Sequence, residues 1–205
     1  MNLKYLGDSY DIVKQSLLRC LGNMGTWVAH PMFTGDVSTE QADTFSRLLG
    51  TRLLSYETLS LGTDREVYLA PARDCHDHVF LDPDTGIRLK PTQGAKAPSY
   101  LFGTELAAIA DVRPNRLVLV FDQALARGRE REQLQTKLGS LANEGILGIA
   151  YVSNACFVLV GKNRTLLESA FETLKNESRL PEGRFLSWKS QNQAVHRIAK
   201  KTGSR

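Results

Sequence analysis

Two carboxylates flank a proline in Val79-Phe80-Leu81-Asp82-Pro83-Asp84-Thr85-Gly86. The apolar residues before them have the pattern of a buried strand. Asp82 and Asp84 then fall at its carboxyl end, where open α/β sheets place their ligands. Acids so placed can hold a hard cation such as Mg²⁺, share a proton as an acid–base pair, or bind a ribose or an amine. Pro83 fixes the backbone between them, and Gly86 permits a tight exit. The same residues are all turn formers, so a plain turn is the competing reading.

Other residues point toward the same edge. Asp11 and Lys14 stand three apart on an expected helix. Lys14 either faces the crevice of Asp82 or makes an ordinary surface ion pair with Asp11. His30, beside Pro31 after a short strand, is either a general base near that edge or a polar loop residue. Asp122-Gln123 ends the most apolar strand and suits a site wall. Cys75-His76-Asp77-His78 gathers metal-ligand types. In an extended segment only His76 and His78 share a face, fewer than the three or four ligands zinc needs. Arg127, Arg129 and Arg131 lie near a helix start, against the helix dipole, as a phosphate-binding role would explain. Glu130 and Glu132 half-neutralise them, as on a solvated surface.

The elements that must position these residues follow from periodicity. Residues 8–22 predict a helix with Leu17, Leu18 and Leu21 inward and Gly22 as a stop. Ser38 and Gln41 form a capping box for an amphipathic helix carrying Phe45, Leu49 and Leu53. Further helices are expected over 104–111 and 129–143, and after a cap formed by Thr165 and Glu168. Strands are expected at 26–29, 66–69, 78–81 and 116–122, with a closing pair at 146–152 and 156–160 joined as a hairpin. Residues 86–98, with Pro91, Gly94 and Pro98, read as a loop. Strands alternating with helices indicate a three-layer, Rossmann-like α/β domain with a mostly parallel sheet and a C-terminal antiparallel hairpin. The domain is expected to span 1–186, followed by a flexible basic tail over 187–205.

Composition narrows the function classes. Hydrophobic content of 42% and charged content of 23% are globular values. No apolar run reaches the length of a membrane helix, and three scattered cysteines make no disulfide framework, so a cytoplasmic setting is expected. The net charge of +4 suggests nucleic acid. Yet five cations and no acid lie in 187–205; without them 21 basic residues face 22 acidic ones. The basicity belongs to the tail.

Tyr5-Leu6-Gly7-Asp8, Asp11-Ile12-Val13-Lys14 and Phe80-Leu81-Asp82-Pro83-Asp84-Thr85-Gly86 together resemble a family of uncharacterised bacterial and phage proteins. That family carries a Phe-Leu-Asp-Pro-Asp-(Asn/Thr)-Gly signature. The N-terminal piece is also similar to ribosomal-RNA adenine methyltransferases, in which an Asp-Pro-Pro-Tyr-type motif stands where Asp82-Pro83-Asp84-Thr85 stands here. The resemblance implies a methyltransferase-like fold and S-adenosylmethionine as cofactor, held around Asp8, His30, Gly35 and Asp36. It also implies that Asp82 and the Pro83 carbonyl grip a base amine, with Asp84 and Lys14 completing the catalytic set. Two features depart from that pattern. The stretch 27–36 has one glycine and a proline where a glycine-rich turn belongs, and no aromatic follows Asp82-Pro83.

The leading expectation is an enzyme acting on a nucleic acid or nucleotide, most simply by S-adenosylmethionine-dependent methyl transfer to a base amine. The alternatives are a metal-dependent nuclease or phosphodiesterase, with Asp82 and Asp84 ligating Mg²⁺ and Lys14 steadying phosphate, and a non-catalytic scaffold that binds nucleic acid or protein.

Overall fold

Asp8 opens the first helix by accepting hydrogen bonds from the backbone N–H groups of Tyr10 and Asp11, which a helix start leaves without intrahelical partners. The computed structural model, which describes residues 3–188, runs from there into α1 (Ser9–Leu21) and β1 (Trp27–His30). The Ser38–Gln41 capping box starts α2 (Thr39–Leu49), and Gly50 ends it in a left-handed conformation. Leu53 therefore lies in β2 (Arg52–Leu53) and not on the helix. Residues 66–69, expected as a strand, belong instead to helix α3 (Arg65–Asp74). Asp64 caps it through the N–H groups of Glu66 and Val67, and Tyr68, Leu69 and Ala72 form its buried stripe. Pro71 forgoes one backbone hydrogen bond of that helix.

Next come β3 (His78–Leu81), β4 (Gly86–Arg88) and β5 (Tyr100–Phe102). β4 and β5 pair in parallel as a small second sheet, so residues 86–88 are strand where a loop was expected. The chain continues through α4 (Gly103–Asp111), β6 (Val118–Phe121), α5 (Glu130–Asn143), β7 (Leu147–Tyr151) and β8 (Phe157–Gly161). Helix α6 (Arg164–Ser178) is capped two residues earlier than expected, by Asn163 and not Thr165. β9 (Phe185–Ser187) then joins the sheet. Ser187 and Trp188, read from sequence as tail, thus belong to the fold: Ser187 pairs with Ile149, and Trp188 is buried. The expectations for 189–205 lie outside the described residues.

The central sheet has seven strands in the order β2-β1-β3-β6-β8-β7-β9. The first four are parallel to one another, and β8 runs antiparallel to both β6 and β7. Side-chain alternation along the strands divides the core into two layers. Val28, Val79, Leu81, Val118 and Val120 face α3, α4 and α5. Ala29, Phe80, Leu119 and Phe121 face α1, α2 and α6. Strands buried on both faces explain the near-continuous apolar run at 117–121. The architecture is a three-layer α/β domain compatible with a Rossmann-like fold. Among the described residues no helix is long and apolar enough to cross a membrane.

Two polar groups pin the amino-terminal edge of this sheet. Arg116 is buried, and its guanidinium donates to the carbonyls of Ala72, Arg73, Cys75 and Ile109. It thereby satisfies acceptors that the ends of α3 and α4 leave open. His78 joins three segments: its Nδ1 accepts from the N–H of Leu117 at 3.1 Å, and its Nε2 donates to the carbonyl of Met24 at 3.3 Å. Burial holds its pKa below the ordinary histidine value. His78 is therefore committed to the fold. Among the described residues, Cys75, His76 and Asp77 form no group of three or more metal-type ligands with it or with others.

Candidate active site

The carboxyl ends of β1, β3 and β6 lie side by side, which brings the chain segments after residues 30, 81 and 121 to one edge. Asp82 is tied into that edge by its own N–H, which donates to the His30 carbonyl at 3.1 Å. Helix α1 supplies the facing side chains. Asp11 sits in its first turn and reaches back to accept from the N–H of Gly7 at 2.8 Å, which turns its other oxygen inward. Lys14, nearly one turn on, lies 2.9 Å from Asp11 Oδ1 and 2.9 Å from Asp82 Oδ2. Its ammonium also stands 4.5 Å from the centre of the Phe121 ring, within cation–π range.

The triad is almost wholly removed from solvent: Asp11 and Asp82 are 1% exposed and Lys14 is 2%. Burial of this kind demands full pairing, and here pairing is incomplete. Asp82 Oδ1 is buried with no hydrogen-bond partner in the protein. Burial pushes the Asp82 carboxyl above its ordinary range, and Lys14 only partly offsets this. Burial works against the charge of Lys14 too, but Asp82 and Asp11 together outweigh it and hold the ammonium protonated. One lysine is shared between two acids, so the trio carries one negative charge in excess when both acids are ionised.

That excess faces a cavity of about 460 Å³ lined by Tyr5, Asp8, Tyr10, Pro83, Asp84 and Gln123 together with the triad and Phe121. Tyr5 and Tyr10 are exposed, and the Tyr10 and Phe121 rings lie 5.8 Å apart. The described lining carries four carboxylates and one ammonium. A space that is acidic, walled by aromatic rings and lined by a residue with an unsatisfied buried acceptor suits a flat ligand that donates hydrogen bonds, such as an amine on a ring.

All four positions expected to be catalytic, Lys14, Asp82, Pro83 and Asp84, line this one cavity, as does Asp8. His30, Gly35 and Asp36 do not. His30 is fully buried, its ring edge-on to Tyr68 and its Nε2 donating to the Tyr68 carbonyl at 3.0 Å. Burial lowers its pKa to about 4, so it is a neutral core residue facing no solvent. The turn after β1 is filled by its own side chains, since Pro31, Met32 and Phe33 are all buried. Gly35 is exposed, and a Cβ there would meet nothing within 4 Å. Of the positions expected to hold S-adenosylmethionine, Asp8 therefore lies at the Asp82 cavity and His30 is enclosed in the core.

The cation reading meets a different obstacle. Asp82 Oδ2 is taken by the Lys14 ammonium, and among the described residues no group of three or more metal-type ligands comes together. Tyr10 and Phe121 are the site residues that sequence reasoning missed. Phe121 looked like one more core residue of an apolar strand. The Tyr10 signal was its place between the cap Asp8 and Asp11, on the same helix start.

A second buried pair lies one strand over. Asp122, at the end of β6, receives Lys137 Nζ on both oxygens at 2.9 and 2.7 Å, and its Oδ1 also accepts from the N–H groups of Ile87 and Ala124. These bonds fasten the turn after Asp82: the N–H of Gln123 donates to the Thr85 carbonyl at 2.9 Å. Gly86 is required there, with φ +129° and a Cβ that would strike the Asp122 carboxylate. Comparison with protein-family models and with curated proteins finds no match to this chain.

Proposed function

We propose that the chain is an enzyme directed at a nucleobase, on a nucleotide or nucleic acid, and that the Asp82 cavity receives the base's amino group. The observation that carries this reading is the buried Asp82 carboxyl, whose Oδ1 has no partner in the protein, in a residue that lines an aromatic-walled cavity. An exocyclic amine has two N–H donors. One would satisfy Asp82 Oδ1 and the other would reach the Pro83 carbonyl, while Tyr10 or Tyr5 covers the ring face. Lys14 works against the burial that raises the Asp82 pKa and so favours the accepting carboxylate.

The strand order supports the same reading. An antiparallel strand, β8, inserted between two strands of the opposite direction, β6 and β7, is the layout that methyltransferase-like sheets close with. Methyl transfer to the amine is the reaction that the resemblance implies. The chain's contribution falls on the acceptor side: binding, orienting and desolvating the amine. Asp84 adds negative potential that draws an electron-poor amino group and discourages phosphate from the cavity.

Calorimetry with adenosine and cytidine tests the reading. Binding of at least one is expected, with a loss of tenfold or more in Asp82→Asn, because each good hydrogen bond to a charged acceptor contributes about 1.5–3 kcal/mol. Equal binding by Asp82→Asn and the unmodified protein would overturn it. A titration with S-adenosylmethionine, read by the same heat signal, decides the donor.

A further inference from the structure

The Asp82 cavity repels phosphate, so a phosphorylated substrate needs a second surface for its backbone. We propose that a neighbouring cavity of about 730 Å³, between the β4–β5 sheet and α5, binds the phosphodiester strand that carries the target base; this rests on the reading of the Asp82 cavity given above. The two cavities meet at Gln123, which lines both. Its side chain is held in place by donating to the Asn154 carbonyl at 2.7 Å.

The charge is inverted across that residue. The second cavity carries Arg88, Lys90, Arg129 and Lys137 against the one carboxylate of Glu132. Lys137 is committed to Asp122, and Arg129 to Glu132 at 2.7 Å. Arg88 and Lys90 have no ion-pair partner among the described residues. Arg88 lies over the Tyr100 ring at 5.2 Å, a stacking contact that orients a guanidinium while leaving its N–H groups free for an anion. Arg129 occupies the N-cap of α5 without a side-chain cap bond. A cation there opposes the helix dipole, and Glu130 and Glu132 in the first turn offset it. A basic groove beside an acidic, aromatic pocket matches a nucleotide in which the phosphates and the base need opposite environments.

Fluorescence anisotropy with a labelled single-stranded oligodeoxynucleotide over a range of salt tests the proposal on the full chain. In Arg88→Gln/Lys90→Gln the affinity is expected to fall about tenfold and the log–log salt slope to become shallower by about 1.4, two phosphate contacts on a single strand. Residues 189–205 are present in both proteins, so any contribution from them cancels. Adenosine, which has no phosphate, is expected to bind the double variant and the unmodified protein alike. Absence of oligonucleotide binding, or unchanged affinity and slope in the double variant, overturns the phosphate site. Failure of the base-binding reading looks different: binding of both adenosine and cytidine is absent, or binding is insensitive to Asp82→Asn, while the slope effect of Arg88 and Lys90 persists.

Discussion

Two buried lysine–carboxylate pairs stand at adjacent strand ends, and they are built to opposite standards. At β6, Asp122 has both oxygens on Lys137 and accepts two backbone N–H groups besides. At β3, Asp82 has one oxygen on a lysine that it shares with Asp11, and its other oxygen has no partner. Chemistry, burial and sheet position are nearly the same in the two pairs, so the difference lies in completeness. A satisfied pair is a fastener. An unsatisfied one retains an electrostatic demand that a ligand can meet, and the fold tolerates that cost next to a cavity.

The largest effect that separates the two should come from Lys137→Met. It strands the Asp122 charge in the core and is expected to destabilise the protein by about 3–5 kcal/mol, measured by urea unfolding. Adding Asp122→Asn to it should recover part of the loss, because no charge then remains to be buried. If Lys137→Met costs less than 1 kcal/mol, the fastener reading of this pair fails.

The pH profile of stability sharpens the contrast once His30 is accounted for. Its folded pKa of about 4 lies below the ordinary 6.5, so the unfolded chain takes up the proton first. The stability linked to neutral His30 is whole above pH 6.5, declines as pH falls, and is gone below about 4. The loss across that window is on the order of 3 kcal/mol. Asp82 and Asp122 work in the opposite direction. Their folded pKa values are raised by burial, so their contribution is whole below the unfolded value of 3.8 and is lost as pH rises through the folded values. His30→Gln should flatten the acid slope and expose this opposite trend. A slope unchanged by the substitution would show that His30 is not the buried neutral group.

Gly86→Ala tests whether the fastener also positions the site. The new Cβ would press on the Asp122 carboxylate and come within 2.8 Å of the Gln123 and Ala124 backbone nitrogens, at a φ of +129°. A stability loss of about 2 kcal/mol is expected. Weaker adenosine binding should accompany it, although Gly86 does not line the Asp82 cavity. Loss of stability with intact binding would separate the two pairs.

Much of this arrangement could be read in the residues, and the parts that could not share a cause. The Asp82 turn, the α1 cap and the spacing of Asp11 and Lys14 are local patterns, as is the apolar run of β6. Contacts between distant positions are not local. Lys14 and Asp82 stand 68 residues apart, and nothing around either shows that the pair is buried. The three-residue β4 exists because it pairs in parallel with β5, which makes a strand out of the first residues of a segment whose later prolines and glycine spell a loop. In α3, Val67 and Tyr68 have strand-like propensity and Pro71 discourages a helix, but the Asp64 cap and the buried stripe of Tyr68, Leu69 and Ala72 prevail. His30 misled in the other direction. Its position at the carboxyl end of β1 suits a site, but the ring is buried against Tyr68.

The smallest expected change in stability is the most discriminating. Asp82→Asn removes the excess negative charge of the triad and keeps the side chain's shape. Lys14 retains Asp11 at 2.9 Å and the Phe121 ring at 4.5 Å, so no buried ammonium is stranded. An ionised carboxylate with an unpaired oxygen is replaced by a neutral amide, which relieves the burial that raises the acid's pKa. Stability at pH 7 should therefore stay within about 1 kcal/mol of the unmodified protein, or rise, while adenosine binding falls tenfold or more. Near-neutral stability combined with lost binding is the signature of a residue held for a ligand. A loss of several kcal/mol, like that of Lys137→Met, would make Asp82 a second fastener and leave the cavity above it without a role.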